Sequence, residues 1–350
     1  MRGLYTATVI NTLGEHFANR RGVKELDVGK GFDLIVGTST GGILAASLAY
    51  GHSVKKVIEL YHSSGPRIFT NPMPETRERI KLGKWLLLKC SKPANANGIL
   101  RQELITLFQN ETLEGLYNRR NIGLCIPSVK AENQTTKVFK TPHLPRFTFD
   151  KKHLIVDVCM ATSAAPIFLP LVDVADPTNA IQHFVYADGG LWQNNPVLIG
   201  MLEALEITKG TDQPIEVISI GTCSPPEGEL ISPEEVNMGL MQWRFGAKIM
   251  GLSMNAQAAG SAFMAKLLQD RLRELGCNIT VLRLESSLLS EEHMRLMRMD
   301  SATVNSLRAL SQVGSQDGQA AIRRCDGGGT QSNEEYKILF ECFNQMPIFN

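Results

Sequence analysis

The chain has 350 residues, a formal net charge of +1 and 43% hydrophobic residues. This length fits one large domain or two ordinary ones, and the apolar fraction excludes a disordered or collagen-like chain. A net charge near zero argues against a dedicated nucleic-acid binder, because such proteins usually present a basic face. We therefore expect a globular protein with a buried core and no nucleic-acid partner.

The N-terminal residues and the cysteines bear on localisation and metal binding. The chain begins without the long apolar stretch of a signal peptide, and no run approaches the roughly 20 apolar residues of a membrane span. The 7 cysteines are scattered and form no CxxC pair, so a zinc site has little support. The sequence predicts a cytoplasmic protein with free thiols, no bound metal and no cofactor.

The predicted elements alternate between helices and strands along the chain, which indicates an α/β fold. A first helix is predicted over Leu4–Arg20, and residues 71–97, which contain three prolines, are predicted to be irregular. The other predicted helices are Gly42–Tyr50, Ser53–Tyr61, Ile99–Phe108, Pro196–Leu205 and Ser253–Leu275. Residues His153–Thr162 are predicted to be a helix start followed by a small-residue turn. The predicted strands are Phe32–Val36, Gly123–Val129, Thr136–Lys140, Phe184–Ala187, Ile279–Leu284 and Ile215–Ile220, the last of them central.

The segment Asp33–Leu44 carries the strongest local signal in the sequence. It contains G-x-S-x-G between a predicted strand and a predicted helix, which is the context of a nucleophile elbow. Gly37 and Gly41 are expected to permit a sharp turn and close packing. Ser39 is expected at the helix N-terminus, where free N–H groups favour developing negative charge. The alternatives are a plain glycine-rich turn or a phosphate cradle, but no Gly-Lys-Ser/Thr of a Walker A loop follows.

A serine nucleophile needs a base, which is most often a histidine. Only His293 follows the best acid candidate, Asp188, in the order of α/β-hydrolases, and it lies in a charged, solvated stretch. Asp188 is the better partner for Ser39, because Gly189 and Gly190 after it carry no side chain that would block a nucleophile. Its carboxylate, ionised at neutral pH, can accept the serine proton directly. A simple Asp-Gly turn is the alternative.

These motifs together resemble the patatin-like phospholipases. The nucleophile motif of that family is similar to residues 37–42, and its dyad motif is similar to residues 188–190. Three further segments are similar and run in the family's order: Asn97–Leu104, Ala161–Pro166 and Asn194–Pro196. The resemblance implies a three-layer α/β/α fold with a mostly parallel central sheet. It places the catalytic core in residues 1–205, with residues 206–350 completing the same domain.

The resemblance also implies an activity, that of a phospholipase A-type lipid acyl hydrolase. Ser39 would attack a fatty-acyl ester of a membrane lipid, and Asp188 would take its proton and later activate water to release the fatty acid from the acyl-enzyme. The residues that the resemblance assigns to the elbow and the oxyanion hole are Gly37, Thr38, Thr40, Gly41, Gly42, Arg2 and Gly3. The dyad turn would be completed by Gly189 and Gly190.

The sequence departs from the family at its beginning. The family carries an Asp-Gly-Gly-Gly-x-Arg-Gly loop after its first strand, whereas Met1-Arg2-Gly3 fits only the last three positions of that loop. We expect the first strand and most oxyanion glycines to be missing, and hypothesise a start codon assigned at an internal methionine. Losing one oxyanion donor typically costs ~10²–10³ in rate. An impaired lipid-binding or regulatory protein is therefore one alternative, and an esterase with a histidine triad is another.

Three further segments bear on lipid binding and linkage. Residues 77–92 interleave basic and apolar side chains, which suits peripheral adsorption to anionic lipid, with a cap helix packed on the core as the alternative. Residues 326–329 are interpreted as a linker. A second apolar cluster would pack in the core or line an acyl pocket: Met238, Leu240, Met241, Trp243, Phe245, Ile249, Met250 and Met254.

Some bacterial patatin-like proteins of this size resemble defence effectors that a cyclic nucleotide activates. No residue after Ile215 identifies such a ligand in the sequence. The oligomeric state is also left open by the sequence.

Overall fold

The predicted α/β class is confirmed by a computed structural model of the chain. The structure describes residues 1–74, 78–223, 236–240, 242–243, 246–284, 286–298, 300–326 and 334–349. The helices are α1 Gly3–Arg20, α2 Thr40–Tyr50, α3 Val54–Ile68, α4 Arg79–Lys89, α5 Gly98–Phe108, α6 Leu113–Arg120, α7 Ile155–Thr162, α8 Gly190–Gln193, α9 Val197–Ile207, α10 Ala247–Glu274, α11 Glu291–Leu296, α12 Val304–Cys325 and α13 Glu334–Gln345. The strands are β1 Leu34–Val36, β2 Gly123–Lys130, β3 Thr135–Lys140, β4 Val172–Asp176, β5 Asn179–Asp188, β6 Ile215–Ile220 and β7 Ile279–Leu284.

The described strands form two sheets. The larger is mixed in strand direction and has the order β1-β2-β5-β4, with β3 also paired to β2, and β6 and β7 form the smaller. The expected parallel pairing holds for β1 with β2, which the helices α2 to α6 connect, and for β6 with β7. It does not extend to β2/β3, β2/β5 and β4/β5, which are antiparallel. Short turns join β2 to β3 and β4 to β5, and so short a connection permits only antiparallel neighbours.

Helix α1 forms where its apolar spacing predicts it. Leu4, Val9, Leu13 and Phe17 are all buried. Because Leu4 lies on the opposite side of the helix from Leu13, α1 is buried on more than one side. It packs against α12 and α3, in a core that also includes α13. A second core, between the sheet and α2, α5 and α7, is built from residues such as Leu104. The helices therefore cover both faces of the sheet, as a three-layer α/β/α arrangement requires.

Three predictions about individual elements need correction. The stretch of residues 71–97 is not irregular throughout, because α4 forms within it and buries Leu82. Strand β4 was not predicted, since its apolar residues Val172 and Val174 are too few to mark a strand. Ile215–Ile220 is a strand but is not central, because within the described residues it pairs with β7 alone.

In the described ranges, no helix has both the length and the apolar character that crossing a bilayer would need.

Candidate active site

The turn between β1 and α2 holds Ser39 in a strained backbone conformation. Its φ is 55° and its ψ is −129°, which is uncommon for a residue with a side chain. Ser39 is the N-cap of α2, so its side chain stands at the positive end of the helix dipole. This is the geometry of a nucleophile elbow, as the G-x-S-x-G motif predicts.

Glycines are needed at only some positions of this turn. A Cβ at Gly37 would overlap the carbonyl oxygen of Gly41 and lie 2.7 Å from Ala45 Cβ. A Cβ at Gly42 would lie 2.9 Å from Thr162 Cγ2. A Cβ at Gly41 would have no atom within 4 Å, so the prediction that Gly41 permits close packing was wrong.

Asp188 lies within hydrogen-bond distance of Ser39. The Ser39 hydroxyl donates to Asp188 Oδ2 at 2.6 Å, across 149 residues of sequence. Asp188 is the last residue of β5, where it pairs in register with Ser128 of β2. The N–H of Gly190 donates to the other carboxylate oxygen at 2.7 Å. The structure thus brings together the two residues that the sequence analysis selected as a dyad.

Burial sets the acidity of this carboxyl group. Asp188 is only 3% exposed, and this desolvation raises its pKa to about 6. The hydrogen bonds from Ser39 and Gly190 act in the opposite direction, because they favour the charged form. A carboxyl group with such a pKa is ionised at neutral pH but is a stronger base than an exposed aspartate, which suits proton transfer.

Thr162 connects the two halves of the site, a role that the sequence analysis missed. The backbone N–H of Ser39 donates to the Thr162 hydroxyl at 3.0 Å, and that hydroxyl donates to the carbonyl oxygen of Pro127 at 2.5 Å. The carbonyl oxygen of Thr162 accepts the Gly189 N–H at 3.1 Å. One residue at the end of α7 therefore holds both the elbow and the dyad turn. Its place in the segment Ala161–Pro166 was the available signal.

The dyad turn needs its glycines for a different reason from the one predicted. A Cβ at Gly189 would overlap the backbone of Pro127 in β2, and one at Gly190 would lie 2.5 Å from Met254 Cε and 3.0 Å from Asp188 Oδ1. Gly189 therefore permits close packing against the sheet rather than the approach of Ser39. Gly190 keeps space beside the carboxylate and beside α10.

The N-terminal residues lie close to the elbow. The N–H of Gly3 donates to Thr40 Oγ1 at 3.1 Å, so this donor holds α1 against α2. The hydroxyl of Tyr61 donates to the carbonyl oxygen of Thr40 at 2.6 Å. Arg2 lines the cavity described next, and its Nε lies 3.4 Å from the Met297 carbonyl oxygen. Thr38 is buried and donates its hydroxyl proton to the Gln193 carbonyl oxygen at 2.8 Å.

A cavity opens over Ser39 and Asp188. The apolar side chains that line it come mainly from α2, α3, α5, α8, α10 and the segment after α7. They are Ile43, Leu60, Ile68, Phe69, Leu100, Pro166, Phe168, Leu169, Leu191, Met250 and Met254. No histidine is present among the described residues that line this cavity. His293 lies on α11, with Nδ1 at 2.8 Å from Ser290 Oγ. A histidine triad therefore has no support in this geometry.

The second apolar cluster of the sequence analysis divides between several environments. Met250 and Met254 line the cavity, as its acyl-pocket interpretation requires. Leu240 and Ile249 are exposed, so core packing does not describe them. Met241 and Phe245 lie outside the described residues.

Potential metal ligands meet elsewhere in the fold. Ligand atoms of Cys125, His143 and Glu203 lie within 4.8 Å of one another. Lys140 forms an ion pair with one Glu203 oxygen, and His143 Nε2 lies 3.2 Å from the other. Burial alone would raise the pKa of Glu203, but the hydrogen bonds from His143 and Lys140 hold this pKa below its ordinary value. A lysine thus already neutralises the carboxylate that a metal would need.

Helix α4 contains most of the basic segment of residues 77–92. Ile80, Lys84 and Leu87 are exposed on one side, with exposed fractions of 89% for Ile80 and 79% for Leu87. The opposite side buries Leu82. Arg77 lies outside the described residues. Ile80, Leu87 and Leu88 of α4 therefore face outward, whereas a cap helix packed on the core would bury them.

Hydrogen bonds tie α4 to the wall of the cavity. Trp85 Nε1 donates to the Asn71 carbonyl oxygen at 3.3 Å, and the Asn71 N–H donates to Asn95 Oδ1 at 2.9 Å. Asn95 Nδ2 donates in turn to the carbonyl oxygen of Phe168, a residue that lines the cavity. Three successive hydrogen bonds thus connect α4 to the wall of the cavity that contains Ser39.

The chain is similar in sequence to several known proteins. The sequence model of the patatin-like phospholipase family matches residues 1–201. The chain is 29% identical over 334 residues to a cGAMP-activated phospholipase of Vibrio cholerae serotype O1, covering 90% of this chain and 86% of that protein. It is 28% identical over 329 residues to a cGAMP-activated phospholipase of Escherichia coli, covering 90% and 85%. It is 26% identical over 342 residues to patatin-like protein 1 of Oryza sativa subsp. indica, covering 90% and 78%.

Proposed function

Since the chain belongs to the patatin-like phospholipase family, whose members are lipid acyl hydrolases, we propose that Ser39 and Asp188 are its catalytic dyad. The observation that carries this proposal is the 2.6 Å hydrogen bond from the Ser39 hydroxyl to a buried carboxylate. The strained conformation of Ser39 at the N-terminus of α2 supports it, because strain of this kind aims a nucleophile out of the turn.

In the first half of the reaction, Ser39 Oγ attacks the carbonyl carbon of a fatty-acyl ester. Asp188 Oδ2 accepts the hydroxyl proton as the new C–O bond forms. Within the described residues the N–H groups of Thr40 and Gly41 have no hydrogen-bond acceptor, so both are available for the developing oxyanion. The ester C–O bond then breaks, and the alcohol leaves with the proton from Asp188.

In the second half, water attacks the acyl-enzyme and passes a proton to Asp188. The second tetrahedral intermediate collapses, the fatty acid leaves, and the proton returns to Ser39 Oγ. The apolar cavity beside Ser39 suits the acyl chain, because its wall of aliphatic, aromatic and methionine side chains excludes water from that chain. The products of phospholipase A-type cleavage would be a free fatty acid and a lysophospholipid.

Substitution of the dyad tests this assignment. Ser39→Ala and Asp188→Asn are each expected to abolish fatty-acid release from phospholipid vesicles. A fluorophosphonate probe should label the wild-type chain but not Ser39→Ala. The matched control is Ser163→Ala, which alters another serine of the same cavity and should keep both activity and labelling.

The same experiment separates the alternatives. Loss of activity in His293→Ala would favour an esterase with a histidine triad. Wild-type chain that neither hydrolyses vesicles nor reacts with the probe would favour a non-enzymatic lipid-binding protein, and would contradict the dyad.

We also propose that α4 makes the peripheral contact with the membrane. The exposed Ile80, Leu87 and Leu88 can enter the headgroup boundary, while the exposed Lys84 can contact anionic phosphates. The hydrogen-bonded link from α4 to Phe168 would keep the cavity close to the bilayer. This surface would bring the active site to its substrate.

Ile80→Ser/Leu87→Ser should weaken binding to anionic vesicles but leave hydrolysis of a soluble ester unchanged. The control is Ile181→Ser, because Ile181 is 93% exposed on the β4–β5 hairpin and lies outside this surface. Equal vesicle binding by the α4 variant and the wild type would refute the role of α4.

Regulation by a cyclic dinucleotide is a further proposal, which rests on the names of the relatives. Two relatives that cover 90% of this chain are cGAMP-activated phospholipases. If this chain is regulated likewise, cGAMP should increase fatty-acid release by the wild type and have no effect on Asp188→Asn. Activity that is full without nucleotide and unchanged by its addition would oppose this regulation while leaving the dyad intact.

A further inference from the structure

Within the described part of the chain, helix α10 packs along one side and carries large apolar side chains on the opposite side. The helix has 28 residues, Ala247–Glu274, and contacts α8, α9 and β7. Its inner side buries Ser261, Ala265 and Gln269. The side facing away from these contacts carries large apolar side chains that solvent reaches.

The outer side has the spacing of a coiled-coil seam. Ile249, Leu252, Ala256, Ala259 and Phe263 follow one another in steps of three, four, three and four residues, and all five are exposed. This alternation repeats every seven residues, as the a and d positions of a helix that packs against another helix do. The exposed fractions of the three large members are 51% for Ile249, 45% for Leu252 and 66% for Phe263. We call these five residues the α10 seam.

We propose that the α10 seam is the interface between two copies of this chain, packed antiparallel about a two-fold axis. In that arrangement a positions face d positions, so Leu252 meets Phe263 of the partner subunit and Ala256 meets Ala259 of the partner subunit. The seam is therefore complementary to itself, as an isologous interface must be. The alanines lie at the axis, where small side chains let two helices approach closely.

The exposed area of the seam is sufficient for a dimer. Together with Met264 and Leu267, which are 50% and 51% exposed beside it, the seam offers on the order of 600 Å² per copy, at the lower end of the roughly 600–1,000 Å² per partner of specific interfaces. A second copy suits it better than a bilayer does. Its centre is alanine, which contributes little to lipid insertion, and the nearby Lys266 is already paired with Glu335 at 3.0 Å.

Charged substitutions test both the partner and the register. The wild-type chain is expected to have the mass of a dimer in sedimentation velocity at micromolar concentration. Leu252→Glu and Phe263→Lys should each produce monomers, because each places a charge in an apolar layer. The double variant Leu252→Glu/Phe263→Lys should restore the dimer, since the antiparallel register sets each glutamate opposite a lysine of the other copy.

Phe149→Glu is the control, because Phe149 is 85% exposed and lies outside α10. It should remain dimeric, and circular dichroism should show that all variants are folded. A wild-type chain that is monomeric at every concentration overturns the proposal. A dimer that persists in Leu252→Glu also overturns it. If the double variant stays monomeric like the single variants, the antiparallel register is excluded. If the wild type is monomeric and Leu252→Glu loses vesicle binding, the α10 seam contacts lipid instead of a second copy.

Discussion

At the scale of single residues, the acidity of Asp188 governs how activity depends on pH. As the proposed base, Asp188 must be ionised, and its pKa is raised by burial to about 6. Below that pH the carboxyl group holds its own proton and cannot accept that of Ser39, so kcat/KM should fall as the medium becomes acidic. It should be half of its maximum near pH 6 and reach a plateau at neutral pH.

Hydrolysis of a soluble ester without titratable groups, followed from acidic to alkaline pH, measures this profile. Circular dichroism at each pH is the control for acid unfolding. A midpoint at the ordinary aspartate pKa of about 4 would show that burial does not shift the acidity of the catalytic base.

Thr162 should act as a positioning residue. Thr162→Val removes the hydroxyl that joins the Ser39 N–H to the Pro127 carbonyl oxygen, and leaves both groups without that partner. A lost hydrogen bond of this kind is worth about 1–1.5 kcal/mol, so we expect kcat to fall by about tenfold with little change in KM. Thr162→Ser keeps the hydroxyl and should retain kcat. Equal losses in the two variants would point to lost packing instead.

At the scale of elements, close packing between β1, α2 and α7 maintains the elbow. A Cβ at Gly37 would overlap the backbone of Gly41, whereas a Cβ at Gly41 would meet open space. We therefore expect Gly37→Ala to lower the melting temperature and abolish hydrolysis, because overpacking of this kind costs about 1–3 kcal/mol and moves Ser39. Gly41→Ala, the matched variant four residues later in the chain, should fold normally. The melting temperatures of the two variants test this account, and equal melting temperatures would contradict it.

The sequence allowed the elbow and the dyad turn to be predicted because each is a local pattern. A strand, three glycines and an almost wholly apolar helix constrain the backbone within ten residues around Ser39. Thr162 could not be recognised in that way, since its role depends on hydrogen bonds to residues distant in the sequence. These are Ser39, 123 positions away, and Pro127. Helix α4 escaped prediction for another reason. Ile80, Leu87 and Leu88 face solvent while Leu82 is buried, so the periodicity that marks a buried helix face is weak there.

Strand direction was harder to predict than strand position. Apolar runs indicate where β2, β3 and β5 lie, but direction depends on which strands become neighbours after folding. The antiparallel pairing of β2 with β5 places Ser128 beside Asp188, and this register decides where the carboxylate stands relative to Ser39. No feature of the sequence near Asp188 specifies that neighbour.

At the scale of the whole molecule, the two ends of the chain meet in one core. Helix α1 packs along α12, and the Tyr5 hydroxyl donates to Asp317 Oδ2 at 2.6 Å. The same hydrophobic cluster includes residues of α13, such as Phe343. We therefore propose that residues 206–350 complete one domain with residues 1–205. In that case the proposed active site depends on the packing of α1 against α12, two helices that lie far apart in the sequence.

Gly318 tests whether the two parts unfold together. A Cβ there would lie 2.8 Å from Thr12 Cβ, so Gly318→Ala should force α1 and α12 apart and destabilise the chain by about 1–3 kcal/mol. Gly83→Ala in α4, where a Cβ meets no atom within 4 Å, should be neutral or stabilising by up to about 1 kcal/mol. If the chain is one domain, Gly318→Ala lowers the midpoint of a single calorimetric transition, and hydrolysis is lost at the same lowered temperature. A transition that shifts while the temperature of activity loss stays unchanged would show that residues 206–350 fold as a separate unit.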